Sequence, residues 1–186
     1  MIDTSLDIWT DDDLDVGDGG QTTITQGGDA YLINDRHYDR ITTVLNIIAK
    51  PGLEKWKRKV GFVKADEIMR ESAILGKEVH AICEEVNKGR DPINGLWLTE
   101  GGKPPRWVEV RGTRLQPYYD GYTDWYERNI RQIVLVERTT WSDEHGYAGT
   151  PDTYGELKGK FAGALALLDN KTSKYLSWTY RLQTAA

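Results

Sequence analysis

A single cysteine, Cys83, excludes a disulfide framework and any four-cysteine zinc or iron–sulfur site. No apolar run approaches the ~20 residues of a membrane span. The acidic amino terminus has no basic segment that could open a secretory signal. These absences point to a soluble protein of a reducing cytoplasm. Positive charge is also missing from one region: residues 1–35 hold nine Asp and no Lys or Arg. The formal charge of -5 therefore divides unevenly, with 24 basic residues against 20 acidic ones over the rest of the chain. Such a composition predicts an acidic, poorly ordered tail over 1–35 on a mildly basic body at 36–186. The tail is read as solubilising, with shielding of a nucleic-acid site as the alternative. At 186 residues the chain is expected to form one domain with its own core.

What the chain does contain is a dense group of charges between Ile133 and Lys171. Ile133 to Glu137 reads as a central strand buried on both faces, tipped by a carboxylate. After a turn at Ser142 to Gly146, Tyr147 to Gly155 reads as a second strand, irregular at Pro151 beside Asp152. A hairpin at Gly155 to Gly159 then returns Phe161 to Lys171 as a third strand ending in Asp169-Asn170-Lys171. Side chains alternate along a strand, so Asp169 and Lys171 share a face. Two acids on neighbouring strands with a lysine two residues past one of them can hold a hard divalent cation and set positive charge beside a phosphate. A surface ion pair is the plainer use of a lone Asp-X-Lys.

The chain around this group has its own pattern. A hairpin fits Tyr31 to Tyr38, and a helix fits Ile41 to Ile48 with Asp39 as its cap. Pro51 to Val60 reads as a helix with Leu53, Trp56 and Val60 on a core face and Lys55, Arg58 and Lys59 on a basic one suited to phosphate contact. Ser72 to Lys88 forms a helix with Leu75, Val79, Ile82 and Val86 buried and Gly76, His80 and Glu84 along the flank. Glu84 reads as an exposed helix residue, with reach to a metal through water as the alternative. Turn signals make 89–111 a loop or lid, and Arg114 to Arg131 a helix with core-facing aromatics. A last helix starts at Trp178 and bears Arg181 and Gln183.

Gly149-Thr150-Pro151-Asp152, then Asp169-Asn170-Lys171-Thr172-Ser173, then Gln183, with Gly76 to His80 upstream, resemble the PD-(D/E)XK nucleases and within them the RecB-like exonucleases. Their order and spacing carry the resemblance, which covers residues 41–186. It implies an α/β restriction-endonuclease-like core, a mixed sheet with a three-strand antiparallel meander flanked by helices. It also implies a Mg2+- or Mn2+-dependent deoxyribonuclease acting in recombination, repair or phage DNA processing, in a bacterial cell or phage-infected host, with DNA and a recombination protein as partners. By the same resemblance His80, Asp152, Asp169 and the Asn170 carbonyl hold the metal. Lys171 orients the attacking water, Gln183 faces the phosphate or that water, Arg181 contacts DNA, and Glu137 tunes a ligand or binds a second ion. The family's tyrosine four residues after the glutamine and its closing strand are missing from this sequence, so an open sheet edge and self-association through it are expected, with a fragment of a longer chain or another element completing the edge as the alternatives. A non-catalytic DNA-binding module and an endonuclease of the same superfamily are the alternatives.

Overall fold

The computed structural model describes residues 24–26, 30–100, 103–173 and 178–185. The remainder of the acidic segment lies outside the described residues. Short strands β1 (Ile24–Gln26), β2 (Ala30–Ile33) and β3 (Arg36–Arg40) pair antiparallel in sequence. The expected hairpin is present, turning through Asn34 and Asp35, both with positive φ. Residues 30–35 thus belong to a sheet and not to the tail, because Tyr31 and Ile33 bury against Tyr38 and Ala148. Helix α1 spans only Ile41–Leu45, and Arg40, with no side-chain capping bond, replaces Asp39 at its start.

Helix α2 (Pro51–Val60) has the predicted bounds. Proline suits its first turn, and Gly61, at φ 92, ends it in a conformation that favours glycine. Helix α3 then runs from Phe62 to Asn87, starting ten residues before the expected Ser72 because no Gly or Pro interrupts 62–71. Its first half leaves Phe62, Val63 and Met69 exposed, while Val79, Ile82 and Cys83 in its second half enter the core.

The expected loop at 89–111 holds a two-stranded ribbon, β4 (Leu96–Leu98) with β5 (Arg106–Val108). Leu96, Leu98 and Val108 pack on the buried face of α3. The buried carboxylate of Glu78 clamps this ribbon by accepting hydrogen bonds from Arg106 at 2.9 Å and Arg114 at 3.1 Å. Helix α4 (Gln116–Asn129) is shorter than its sequence pattern at both ends, since Ile130 and Arg131 already belong to strand β6 (Ile130–Val136). None of its residues is fully buried: Tyr119 and Tyr122 pack half-buried against the α3 core as expected, while Tyr118 and Trp125 are exposed.

The meander exists, with one departure. Strand β6 pairs with β9 (Thr153–Leu157), which pairs with β10 (Leu165–Leu168), all antiparallel. In that order β9 is central, and β6, expected to be buried on both faces, is an edge with Val134 44 % exposed. The inserted hairpin β7 (Thr140–Ser142) and β8 (Tyr147–Gly149) joins the first sheet, where β8 lies parallel to β3 and gives a mixed order β1-β2-β3-β8-β7. The expected continuous strand Tyr147 to Gly155 is therefore two strands in two sheets, divided at Pro151, which has no N–H for a ladder. Strand β10 is also shorter than Phe161 to Lys171. A 3₁₀ turn at Gly159–Phe161 precedes it, and Asp169 to Lys171 lie beyond its end. Helix α5 (Trp178–Ala185) packs near α1. The architecture is mixed α/β, with a mixed sheet and a separate antiparallel three-stranded sheet. No described helix is long and apolar enough to cross a membrane.

Candidate active site

The change of sheet at Pro151 puts Asp152 at the junction of both sheets with α3. Its neighbour Thr153 is fully buried and accepts a hydrogen bond from Asn87 Nδ2 of α3 at 2.7 Å. Asp152 itself bridges two elements. Its Oδ1 meets His80 Nε2 at 2.7 Å, and its Oδ2 accepts the Asn170 N–H at 2.6 Å. The backbone carbonyl of Asp152 accepts the Glu137 N–H at 3.1 Å, which locks the end of β6 beside this segment. Glu137 has φ 51, a left-handed conformation that costs a non-glycine residue about 1 kcal/mol or more and that persists where surroundings enforce it.

Glu137 Oε1 lies 3.3 Å from His80 Nε2 but outside hydrogen-bond geometry, and it is a buried oxygen with no hydrogen-bond partner. Glu84, one turn past His80, offers an oxygen as well: ligand atoms of His80, Glu84 and Glu137 all lie within 4.8 Å of one another. Glu84 is thus half-buried beside His80 and not the exposed helix glutamate expected, and it also pairs with Lys88. Helical spacing was the available signal, because positions i and i+4 share a face. The hydrogen bond to Asp152 holds the His80 imidazole above its ordinary pKa, against the lowering effect of burial. Burial raises the Glu137 carboxyl, with His80 opposing it. The Glu137 oxygen, the His80 imidazole and the Glu84 carboxylate, with Asp152 bonded to His80 beside them, are donors of the kind that hold a divalent cation.

The second group lies across Asn170. Lys171 Nζ donates to Asp169 Oδ1 at 2.6 Å and sits 5.2 Å over the Tyr180 ring of α5. Asp169 and Lys171 therefore share a face as expected, but Asp169 is engaged by the lysine while Glu84 and Glu137 stand with His80. Asn170 meets the site through its N–H to Asp152, where its carbonyl was expected to serve. A cavity of about 230 Å3 is lined by Gly76, His80, Asn170, Lys171, Thr172 and Tyr180 among others. Gly76 does face Thr172, yet a β-carbon there would lie an ordinary 3.6 Å from Thr172 Oγ1, so contact alone does not demand glycine. Gln183 does not line this cavity; Tyr180, three residues earlier, does. Arg181 is exposed on α5, and Lys55, Arg58 and Lys59 are exposed on α2 without a carboxylate partner among the described residues. Burial pushes the nearby Cys83 thiol up to about 12, so it is no nucleophile at neutral pH.

No family model, curated protein or solved structure matches this chain. The functional reading rests on these residues and their geometry.

Proposed function

We propose that the protein is a divalent-metal-dependent deoxyribonuclease that hydrolyses phosphodiester bonds, with exonuclease action the form its motifs resemble. The observation that carries this reading is the partnerless buried Glu137 oxygen beside His80 and Asp152, with Asp152 bonded to the Asn170 N–H between Asp169 and Lys171. His80, Asp152, Glu137 and Glu84 would hold Mg2+ or Mn2+. When bound, such an ion offsets phosphate charge and favours ionisation of the attacking water. Asp152 fixes the His80 ring and the Asn170 backbone together, so the two halves of the site keep one spacing. Asp169 orients the Lys171 ammonium, which steadies negative charge developing at the phosphate. The basic face of α2 and Arg181 offer contacts to the DNA backbone.

The test is incubation with linear and circular DNA in Mg2+, Mn2+ or chelator, alongside thermal melting. Metal-dependent loss of linear DNA is expected, with a metal-induced rise in melting temperature that Glu137→Gln diminishes. Cleavage of closed circles would reassign the enzyme as an endonuclease. Absence of both cleavage and the melting shift would leave a non-catalytic module.

A further inference from the structure

On the far side of Asn170–Lys171–Thr172 from the His80 cavity lies a second cleft of about 330 Å3, which the mechanism above does not use. Its outer wall is α4, which presents Tyr118, Gly121, Tyr122 and Trp125. We infer that this cleft is a nucleobase subsite, holding by stacking the base of the nucleotide whose phosphate lies at Lys171. The inference rests on the nuclease reading for the position of that phosphate.

Three observations carry it. First, the aromatic layer is open and anchored through Tyr122. Trp125 and Tyr118 are 37 % and 36 % exposed, and Tyr122 stacks on Trp125 at 5.8 Å between centroids with the planes 28° apart. Tyr122 is pinned from beneath, its hydroxyl donating at 2.7 Å to Asn87 Oδ1, while Asn87 donates to the buried Thr153 beside Asp152. A platform fixed in advance loses little entropy when a base stacks on it.

Second, Gly121 breaks the local rule without a packing reason. Glycine in a helix interior costs about 1 kcal/mol relative to alanine. A β-carbon at Gly121 would meet nothing within 4 Å, and its φ is not left-handed, so neither a close approach nor a turn demands glycine there. What the missing side chain does provide is room in the cleft. Departures of this kind gather at functional sites.

Third, the lining chemistry suits this occupant. Aromatic faces stack on any base, while Asn170 and Thr172 at the inner wall offer hydrogen bonds to a base edge. The shared wall places Lys171 on the rim of both cavities, where a phosphate attached to that base meets positive charge. Asp124 on the same helix is already paired with Arg128, which limits repulsion of the strand.

The experiment measures equilibrium binding of the full chain, in chelator so that nothing is cut, to a labelled short oligodeoxyadenylate and to an abasic strand of equal length. Any repulsion from the acidic cluster acts on both strands alike. Wild type is expected to prefer the base-bearing strand by roughly tenfold or more, the scale of one stacked base. Trp125→Ala should abolish most of that preference and Trp125→Phe should restore it. Gly121→Leu should abolish it by filling the cleft, with a melting temperature equal to or above that of wild type. Equal binding of the two strands by wild type, or undiminished preference in Gly121→Leu, overturns the subsite. So does a Trp125-dependent dimer in light scattering without base preference, which would assign the cleft to a second copy. Base-dependent binding in a chain that cuts no DNA with any metal would retain the subsite and discard the hydrolase; cutting without base preference would do the reverse.

Discussion

His80 and Asp152 stand on segments whose neighbours are among the most buried in the molecule, Ile82 and Thr153 at 0 % exposure. Asp169 and Lys171, by contrast, follow a four-residue edge strand in which no residue is buried, and they are held to each other. The His80–Asp152 side is positioned by core packing, so its geometry is set by the same contacts that fold the domain. The lysine side is positioned by an ion pair, one backbone hydrogen bond to Asp152 and a ring beneath the ammonium. Rigid placement suits ligands that must converge within a few tenths of an ångström, whereas a charged group that follows a phosphate through reaction tolerates a softer mounting.

That contrast predicts where function and stability separate. Lys171→Ala should lower turnover roughly a hundredfold or more, the scale of losing one transition-state donor, without a comparable fall in melting temperature or in metal-induced stabilisation. Turnover within a few-fold of wild type would make Lys171 structural. Ile82→Ala should cost about 2–4 kcal/mol of unfolding free energy, whereas Leu167→Ala in the half-buried β10 should cost clearly less; equal losses in denaturant titrations would erase the distinction.

A smaller effect is expected from Thr153→Val, which keeps shape but leaves the buried Asn87 amide without its acceptor, at a cost of about 1–3 kcal/mol. Its cleavage rate should fall as well, because Thr153 adjoins Asp152; unchanged stability would show that water replaces the bond. The least effect concerns Asp91, which ties the start of the ribbon to α4. The Ile93 N–H, and after it the Tyr119 hydroxyl, hold this carboxyl below its ordinary pKa. A depressed carboxyl contributes stability above its unfolded pKa and loses it as pH falls through the lower folded value. Melting temperature should therefore drop slightly over that acid range, and the Asp91→Asn profile should be flatter; parallel profiles would remove Asp91 from the account.

Within the sequence, α2 was legible to the residue because proline and glycine bracket it, and the flank of α3 bearing His80 followed from helical spacing. The meander was legible from two apolar runs, Ile133 to Glu137 and Phe161 onward, on either side of a strand that Pro151 interrupts. Its consequence was not legible, since a proline's missing N–H says that pairing stops there and nothing about which sheet resumes. Glu84 and Glu137 illustrate the same limit: the sequence names Glu137 as a candidate for a second ion, but that both acids meet at His80 follows only once α3 and β6 are set side by side.

By itself the sequence determined the residue types at the site, their order along the chain, and the local elements that turn signals and periodicity encode, because those depend on neighbours a few residues apart. Only the tertiary structure decided which acids meet His80, that Asp169 pairs with Lys171 while Asp152 bridges His80 and Asn170, and that the aromatics of α4 line an open cleft. Those outcomes depend on contacts between residues tens of positions apart, such as Asn87 with Thr153, whose formation rests on burial that no local pattern records.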